Sequence, residues 1–197
     1  EIFMRHLNVH NLTEWLNDTE SLCSTRLKTT YELFDTHLDR KLVVFSCYTK
    51  VLQVVKHHKG KYYQDRPLWL MTGDMSIKKR ALVIKEFSES TNGIICMTYD
   101  LGSNGINLQV ADTVILIDFG WNADRAEQAV SRVLRPGQKS DTVKLYYLAS
   151  NTGIESALLK IHKAKRQVGD EVKKGAIKTT IPKAVIKDII KVIQLES

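Results

Sequence analysis

One glutamine and two arginines recur at a spacing that suits the binding of a phosphate chain. Gln128, Arg132 and Arg135 stand at positions i, i+4 and i+7, which would place one amide and two guanidinium groups on one face of a helix. Guanidinium groups stay charged and pair bidentately with phosphate oxygens. We expect the helix to end at Pro136 and Gly137. On spacing alone, a surface helix with two solvent-exposed arginines is the simpler interpretation.

A loop that contains glycine precedes this stretch. Gly102 and Gly105 follow a short apolar run, and Asn107 comes two residues later. Glycine permits a tight turn and lets backbone N–H groups approach an anion closely. Such a loop is common after a strand and is a weak signal by itself. Its position ahead of the glutamine and the two arginines makes an anion-binding loop the stronger interpretation.

Three hydroxyl residues each end an apolar run. Ser46, Thr72 and Thr98 could donate to the phosphates of one nucleic-acid strand, which is a contact independent of base sequence. The alternative is that each hydroxyl bonds to its own turn backbone. For any one residue the two interpretations are about equal. Their equivalent positions in three successive runs favour nucleic acid.

The elements that position these residues alternate between apolar runs and helical segments. Runs that are apolar on both faces and are separated by helices predict a parallel sheet covered on two sides, which is an α/β fold. Loops at the carboxyl ends of such strands carry the ligand contacts. The runs cover 42–45, 68–71, 94–97, 114–117 and 143–148, and the helical segments cover 49–58, 76–87, 123–133 and 153–166.

Both ends of the chain differ from this alternating middle. Residues 1–40 predict a helical lead-in, residues 41–150 the α/β domain, and residues 151–197 a basic helical extension. In the extension a polar loop precedes Pro182, after which a helix with one apolar stripe is expected. That helix must dock on the same domain or on a partner lobe.

Composition excludes several classes of protein. A hydrophobic content of 43% suits a globular core, and no apolar run approaches the roughly 20 residues of a membrane span. The three cysteines are isolated, which favours buried thiols in a reducing compartment over disulfides or a metal site. The net charge of +7 indicates a polyanionic partner, with nucleic acid the first candidate, although a solvated basic face would also account for it.

The arginine stretch resembles a known motif. Trp121-Asn122, Gln128-Ala129, Arg132, Arg135 and Gly137-Gln138 are similar to motif VI of the Swi/Snf-type branch of the superfamily-2 helicase-like ATPases. Leu134 replaces the usual His of that motif, and Pro136 replaces the usual Ile. Motifs IV and V of the family are similar to residues 43–49 and 97–108, and further matches extend to Arg166.

The resemblance implies a RecA-like, three-layer α/β/α lobe with a mostly parallel sheet and helical extensions at both ends. It implies that Arg132 and Arg135 act as arginine fingers on ATP, with Gln128 in the same catalytic row. It also assigns Gly105 and Asn107 to the nucleotide cleft. The DNA-backbone contacts that it implies are Ser46, Thr72, Gly73, Thr98, Gly102, Lys163 and Arg166.

Parts of a complete ATPase site are missing from the sequence. It contains no Gly-x4-Gly-Lys-Ser/Thr loop and no Asp-Glu pair at the end of an apolar run. We therefore expect ATP and Mg²⁺ to be held mainly by an N-terminal RecA-like lobe of the same polypeptide, and this chain to be inactive alone. We expect an intracellular protein, in the nucleus, or in the cytoplasm if it is bacterial or viral, with duplex DNA as partner and no membrane.

Two other functions remain open on this evidence. One is the lobe of a strand-separating superfamily-2 helicase that acts on DNA or RNA. The other is a DNA-binding module that kept the fold and lost catalysis. The presence of both Arg132 and Arg135 argues against the second, because a module without catalysis has little need of them.

Overall fold

Strands and helices alternate along the chain. The computed structural model describes residues 24–149, except 63–64, 104, 119 and 121–122, together with residue 155. The elements of this part are, in order, α1 (Thr25–Thr36), β1 (Leu42–Ser46), α2 (Thr49–Tyr62), β2 (Leu68–Met71), α3 (Ile77–Glu89), β3 (Ile94–Thr98), α4 (Tyr99–Ser103), β4 (Thr113–Leu116), α5 (Ala123–Val130) and β5 (Lys144–Tyr147).

The strands form one sheet in the order β2-β3-β1-β4-β5, and every pairing in it is parallel. All five lie within a residue or two of the apolar runs in the sequence. Parallel neighbours require a crossover connection, which is why helices separate the strands. The expected α/β fold with a parallel sheet is confirmed.

The central strand shows how the sheet is covered on both faces. All five residues of β1 are buried. Val43 and Phe45 belong to a hydrophobic cluster with residues of α3, α4 and α5. Leu42 and Val44 belong to a second cluster with residues of α1 and α2. Successive side chains of a strand point to opposite faces, so this alternation gives the three layers of the expected α/β/α arrangement.

Helix α1 belongs to the packed body of the domain. The Ser24 hydroxyl caps its first turn by accepting from the backbone N–H of Leu27. Leu27 and Phe34 join the second cluster, and the Phe34 side chain is fully buried. The helix in the predicted lead-in is therefore confirmed at 25–36, and burial of its apolar residues fixes it to the sheet.

A buried arginine fastens the end of α1. Arg66 donates from its guanidinium to the carbonyls of Phe34, His37 and Arg40, and to that of Asn92 before β3. The distances are 2.7–3.0 Å. The last carbonyls of a helix lack intrahelical partners, so Arg66 satisfies groups that would otherwise be buried without a donor. Sequence inspection missed this residue.

Two elements differ from the sequence-based expectation. Residues 99–103 form the short helix α4 where only a loop was expected. Helix α5 ends at Val130 and not near Pro136. Beyond it, the N–H groups of Arg132 and Val133 donate to the carbonyls three residues earlier, which tightens the chain into turns.

Several predictions concern residues outside the described part. The first 23 residues and residues 151–197, apart from Glu155, belong to this group, so the basic extension and its helix after Pro182 stay predictions. Glu155 accepts from Arg26 of α1. Among the described helices, none has the length and apolar character needed to cross a membrane.

Candidate functional site at the carboxyl edge of the sheet

The three hydroxyl residues lie side by side at one edge of the sheet. Ser46 of β1 is the registered partner of Thr98 of β3. Met71 of β2 pairs with Met97, which places the next residue, Thr72, beside Thr98. The order across the edge is therefore Thr72, Thr98, Ser46. The sequence expectation that these hydroxyls are in register is confirmed, and their proposed contact with DNA stays a prediction.

The Ser46 hydroxyl differs from those of Thr72 and Thr98 because it lies in the interior of the domain. The Ser46 side chain is fully buried, and its hydroxyl donates to the Asp118 carboxylate, which also accepts the Cys47 N–H at 2.6 Å. The same hydroxyl accepts from the Tyr48 N–H at 3.0 Å. A DNA phosphate would have to displace these bonds to reach it. The geometry supports the turn role that the sequence left open.

Asp118 holds the turn after β1 in place, and the sequence analysis assigned it no role. It follows β4, is 7% exposed, and its backbone carbonyl accepts from the Tyr99 hydroxyl. Burial, followed by the Asp118 charge, raises the pKa of the Tyr99 phenol well above its usual range. The same two causes raise the pKa of the Cys47 thiol to about 12. The position of Asp118 directly after the apolar run 114–117 was the signal in the sequence that could have identified it.

The turn after β2 presents a different surface. Gly73 is exposed, and a Cβ added to it would have no heavy atom within 4 Å. Arg80 of α3 donates to the Gly73 carbonyl at 2.5 Å, and the Ser76 hydroxyl caps α3. A hydrogen bond from the Thr72 side chain lowers the pKa of Asp74. This turn is thus held in shape while its backbone stays open to a ligand.

A pocket lies between helix α5 and the segments that follow β1, β3 and β4. Its volume is about 340 Å³, and its lining includes Cys47, Thr98, Asp100 and Arg125. Asp100 and Arg125 form an ion pair at 3.0 Å in which both side chains are largely exposed. Exposed pairs of this kind contribute little to stability.

The two glycines of the predicted loop have different roles. Gly102 lies buried in α4, where an added Cβ would come within 2.6 Å of Phe45 Cε1 and 3.1 Å of Ala129 Cβ. It is needed for close packing, and its burial opposes the backbone contact with DNA that the sequence suggested. Gly105 is exposed with φ of +74°, which is the left-handed conformation that glycine adopts most readily. Gly105 therefore matches the expected tight turn.

Gln128 is exposed on α5, whereas Arg132 and Arg135 are half-buried in the turns that follow it. The expected row on one regular helix face is wrong in its geometry, because a helix that ends at Val130 does not carry the two arginines. Tight turns end it early. The three residues remain close along the chain, and the roles assigned to them stay predictions.

One backbone bond joins the arginine segment to the glycine loop. The N–H of Leu108 donates to the carbonyl of Arg132 at 3.2 Å. Between Gly105 and Leu108, the exposed Asn107 accepts the N–H of Gln109 on its side-chain oxygen at 3.1 Å. This bond places the segment that carries Asn107 and Leu108 beside Arg132, and the assignment of Gly105 and Asn107 to a nucleotide cleft stays a prediction.

The described residues of the site carry positive charge on Arg132 and Arg135 and include no cluster of metal ligands. Among the described residues, no group of three or more His, Cys, Asp or Glu side chains could hold one. Guanidinium groups of Arg132 and Arg135 fit the outer oxygens of a phosphate chain. Lys163 and Arg166, predicted to contact DNA, lie outside the described residues.

This chain is similar to a family of known proteins. Residues 25–137 match the model of the helicase conserved C-terminal domain. A DNA repair protein RAD5 of Eremothecium gossypii is 28% identical over 71% of this chain and 13% of its own length. A probable ATP-dependent DNA helicase CHR12 of Arabidopsis thaliana is 30% identical over 73% of this chain and 13% of its own length. A DNA repair and recombination protein RAD54-like of Drosophila willistoni is 31% identical over 68% of this chain and 17% of its own length.

A solved structure shows the same fold. The C-terminal part of the Fun30 ATPase domain superposes with a TM-score of 0.70 at 21% identity, covering 90% of this chain and 57% of that one.

The chain belongs to the helicase conserved C-terminal domain family. Within it, the chain is a C-terminal RecA-like lobe of the Swi/Snf type. It spans less than a fifth of the length of these curated relatives.

Proposed function

We propose that this chain is the C-terminal lobe of an ATP-dependent translocase that moves along double-stranded DNA. The single observation that carries the proposal is the backbone bond between Leu108 and Arg132. It holds the arginine segment against the loop that carries Gly105 and Asn107. In such an enzyme this lobe forms one side of the ATP-binding cleft. The loop that cradles the phosphates lies on the other lobe.

Arg132 and Arg135 are the arginine fingers of this proposal. Both residues are half-buried just beyond the end of α5, beside the segment that carries Asn107. Planar guanidinium groups stabilise negative charge on transferring phosphoryl oxygens, and such fingers contribute about 10³–10⁵ in rate. ATP with Mg²⁺, held by the N-terminal lobe, supplies the phosphoryl group. Gln128, Gly105 and Asn107 line the same cleft.

DNA contact is assigned to the carboxyl edge of the sheet. Thr72, Gly73 and Thr98 are accessible there, and phosphate contacts at such a row do not depend on base sequence. Ser46 supports this edge indirectly, because its hydrogen bond to Asp118 holds the turn after β1 in place. Gly102 supports it by leaving room for α4 to pack closely. Lys163 and Arg166 would extend the contact, and the net charge of +7 favours a polyanion.

The names of the relatives support DNA as the partner. CHR12 is named an ATP-dependent DNA helicase, and RAD5 and the RAD54-like protein are named for DNA repair. We extend ATP use and DNA binding to this chain on that basis. The whole protein would then act where its DNA lies, which is the nucleus in a eukaryote.

The test is ATP hydrolysis by the full-length protein that carries this chain. We expect turnover to rise with duplex DNA. Arg135→Ala should lower kcat by about 10³-fold or more while nucleotide binding by the other lobe persists. Arg40→Ala is the matched control, because Arg40 pairs with Asp112 near the amino ends of β1 and β4 and should leave turnover unchanged.

The outcomes discriminate between functions. Turnover that is unchanged in Arg135→Ala would refute the finger assignment. Stimulation by single-stranded nucleic acid alone would favour a strand-separating helicase. DNA binding without any turnover would favour a module that has lost catalysis.

A further inference from the structure

Two glutamine side chains exchange hydrogen bonds between neighbouring segments of the cleft. We call residues 107–111 the turn segment and residues 132–138 the finger segment. Gln109 of the turn segment donates from Nε2 to the carbonyl of Pro136 at 2.5 Å. Gln138 of the finger segment donates from Nε2 to the carbonyl of Ala111 at 2.8 Å and to that of Val133 at 3.2 Å. Each segment thus sends one amide to the backbone of the other.

Several of the carbonyls that accept these bonds lie just beyond the end of helix α5. Carbonyls beyond the last full turn of a helix have no intrahelical donor. Leu108 N–H bonds to the carbonyl of Arg132, Gln138 to that of Val133, and Gln109 to that of Pro136. The backbone is therefore fixed on both sides of Arg135, which lies between two of these carbonyls.

Gly137 lets the finger segment fold back under Gln109. Its φ is +98°, and a Cβ built on it would lie 3.6 Å from Gln109 Nε2. Glycine adopts a positive φ at little cost, so Gly137 allows the chain to turn at the point where the Gln109 side chain packs against it. On the other side of Gln138, Oε1 accepts the N–H of Ser140 at 3.1 Å, so this side chain is held at both ends.

We propose that Gln109 is a positioning residue for Arg132 and Arg135, and that Gln109 and Gln138 together form a reciprocal amide clamp between the two segments. The proposal rests on the finger role given above. Arginine side chains are long and flexible, so a fixed backbone reduces the freedom that must be lost to reach a phosphate. A misplacement of about 1 Å can cost about 10²-fold in rate, which is why the segment beneath the fingers must be held.

Hydrogen–deuterium exchange of the full-length protein without nucleotide tests the contact itself. Gln109→Leu keeps the size of the side chain and removes the donor. We expect exchange of the amides in residues 132–138 to accelerate about threefold to tenfold, the range expected of one lost hydrogen bond. Gln53→Leu is the control, because Gln53 is a half-buried glutamine of α2 on the opposite face of the sheet. Unchanged exchange, or acceleration spread equally over the sheet, would overturn the clamp.

Steady-state kinetics test the positioning role. Gln109→Leu should lower the DNA-stimulated kcat about threefold to tenfold with an unchanged KM for ATP and only a small fall in Tm, because one hydrogen bond is lost while the fold and the other lobe stay intact. An equal fall in kcat for the control Gln53→Leu would mean that kcat follows stability alone and would overturn the proposal.

Arg135→Ala, measured in parallel, separates this proposal from the function on which it rests. If Arg135→Ala abolishes turnover and Gln109→Leu leaves kcat unchanged, the positioning role alone fails. If Arg135→Ala leaves turnover unchanged, the finger role fails and the positioning role fails with it. The exchange experiment still decides whether the clamp exists.

Discussion

The carboxylate of Asp118 accepts the hydroxyl of Ser46 at the point where β1 ends, and this bond keeps the hydroxyl inside the protein. Ser46 stands in register with Thr98, yet only Thr98 retains an accessible side chain. Equivalent positions on neighbouring strands therefore have different roles. The difference comes from β4, the strand beside β1, which brings the carboxylate to this corner.

Removal of the Asp118 carboxylate should destabilise the domain. Asp118→Ala leaves the Cys47 N–H and the buried Ser46 hydroxyl without their acceptor, which should cost about 2–4 kcal/mol. Asp141→Ala, at an exposed position, should change the free energy of unfolding by less than about 0.5 kcal/mol. Urea unfolding of both variants measures this. Equal stabilities would mean that the corner is not organised by Asp118.

Replacement of the buried arginine should loosen α1. Arg66→Met removes the donors for four backbone carbonyls and should cost about 2–4 kcal/mol. Arg40→Met removes only a partly exposed ion pair with Asp112 and should cost less than about 1 kcal/mol. Thermal unfolding of the two variants gives the comparison. A smaller loss for Arg66→Met than for Arg40→Met would contradict the role of Arg66.

Substitution by alanine should destabilise the domain at Gly102 and leave its stability nearly unchanged at Gly73. Gly102→Ala puts a Cβ within 2.6 Å of Phe45 Cε1, and the Phe45 ring is held by stacking on Tyr99 with centroids 5.6 Å apart. We expect a net loss of about 1–3 kcal/mol even though alanine favours a helix. Gly73→Ala enters open space and should change stability by less than about 0.5 kcal/mol. Denaturant midpoints measure both, and a neutral Gly102→Ala would show that α4 and α5 can move apart.

Stability should fall as the solution is acidified, in part through His37. Burial, followed by the charges of Lys144 and Arg40, lowers the pKa of His37 below 6.5, although Asp112 and Asp39 oppose the shift. His37 bonds to the Tyr146 hydroxyl at 2.8 Å. A lowered pKa means that the unfolded chain binds more protons, so the stabilising contribution is complete above pH 6.5 and is lost as the pH falls below it.

The pH dependence can be assigned by substitution. The free energy of unfolding of His37→Gln should depend less steeply on pH between about pH 7 and about pH 5, since its side chain does not titrate there. His57→Gln is the control, because His57 is exposed. Identical slopes for the wild-type protein and His37→Gln would exclude His37 as a source of the pH dependence.

Much of the architecture could be predicted because it depends on local pattern. Runs such as Leu42–Ser46 are apolar on both faces, which only a doubly covered strand can bury, and all five strands were found in this way. Helix ends were less predictable. The regular spacing of Gln128 and the two arginines suggested one helix, but the backbone changes to tighter turns after Val130. Local sequence does not reveal which carbonyls will find donors elsewhere in the fold.

The sequence by itself determined the class of the protein, because the order of strands, helices and motif residues along the chain is a linear property. It also determined that Ser46, Thr72 and Thr98 each end an apolar run, whereas the strand order in the fold made those runs neighbours. Only the tertiary structure decided which of those hydroxyls is buried and bonded to a carboxylate. It also decided that Gly102 is needed for close packing and Gly105 for a turn. Those outcomes depend on contacts between residues far apart in the chain, such as Ser46 with Asp118 and Gln109 with Pro136. Chain order cannot specify such contacts before the sheet brings the loops together.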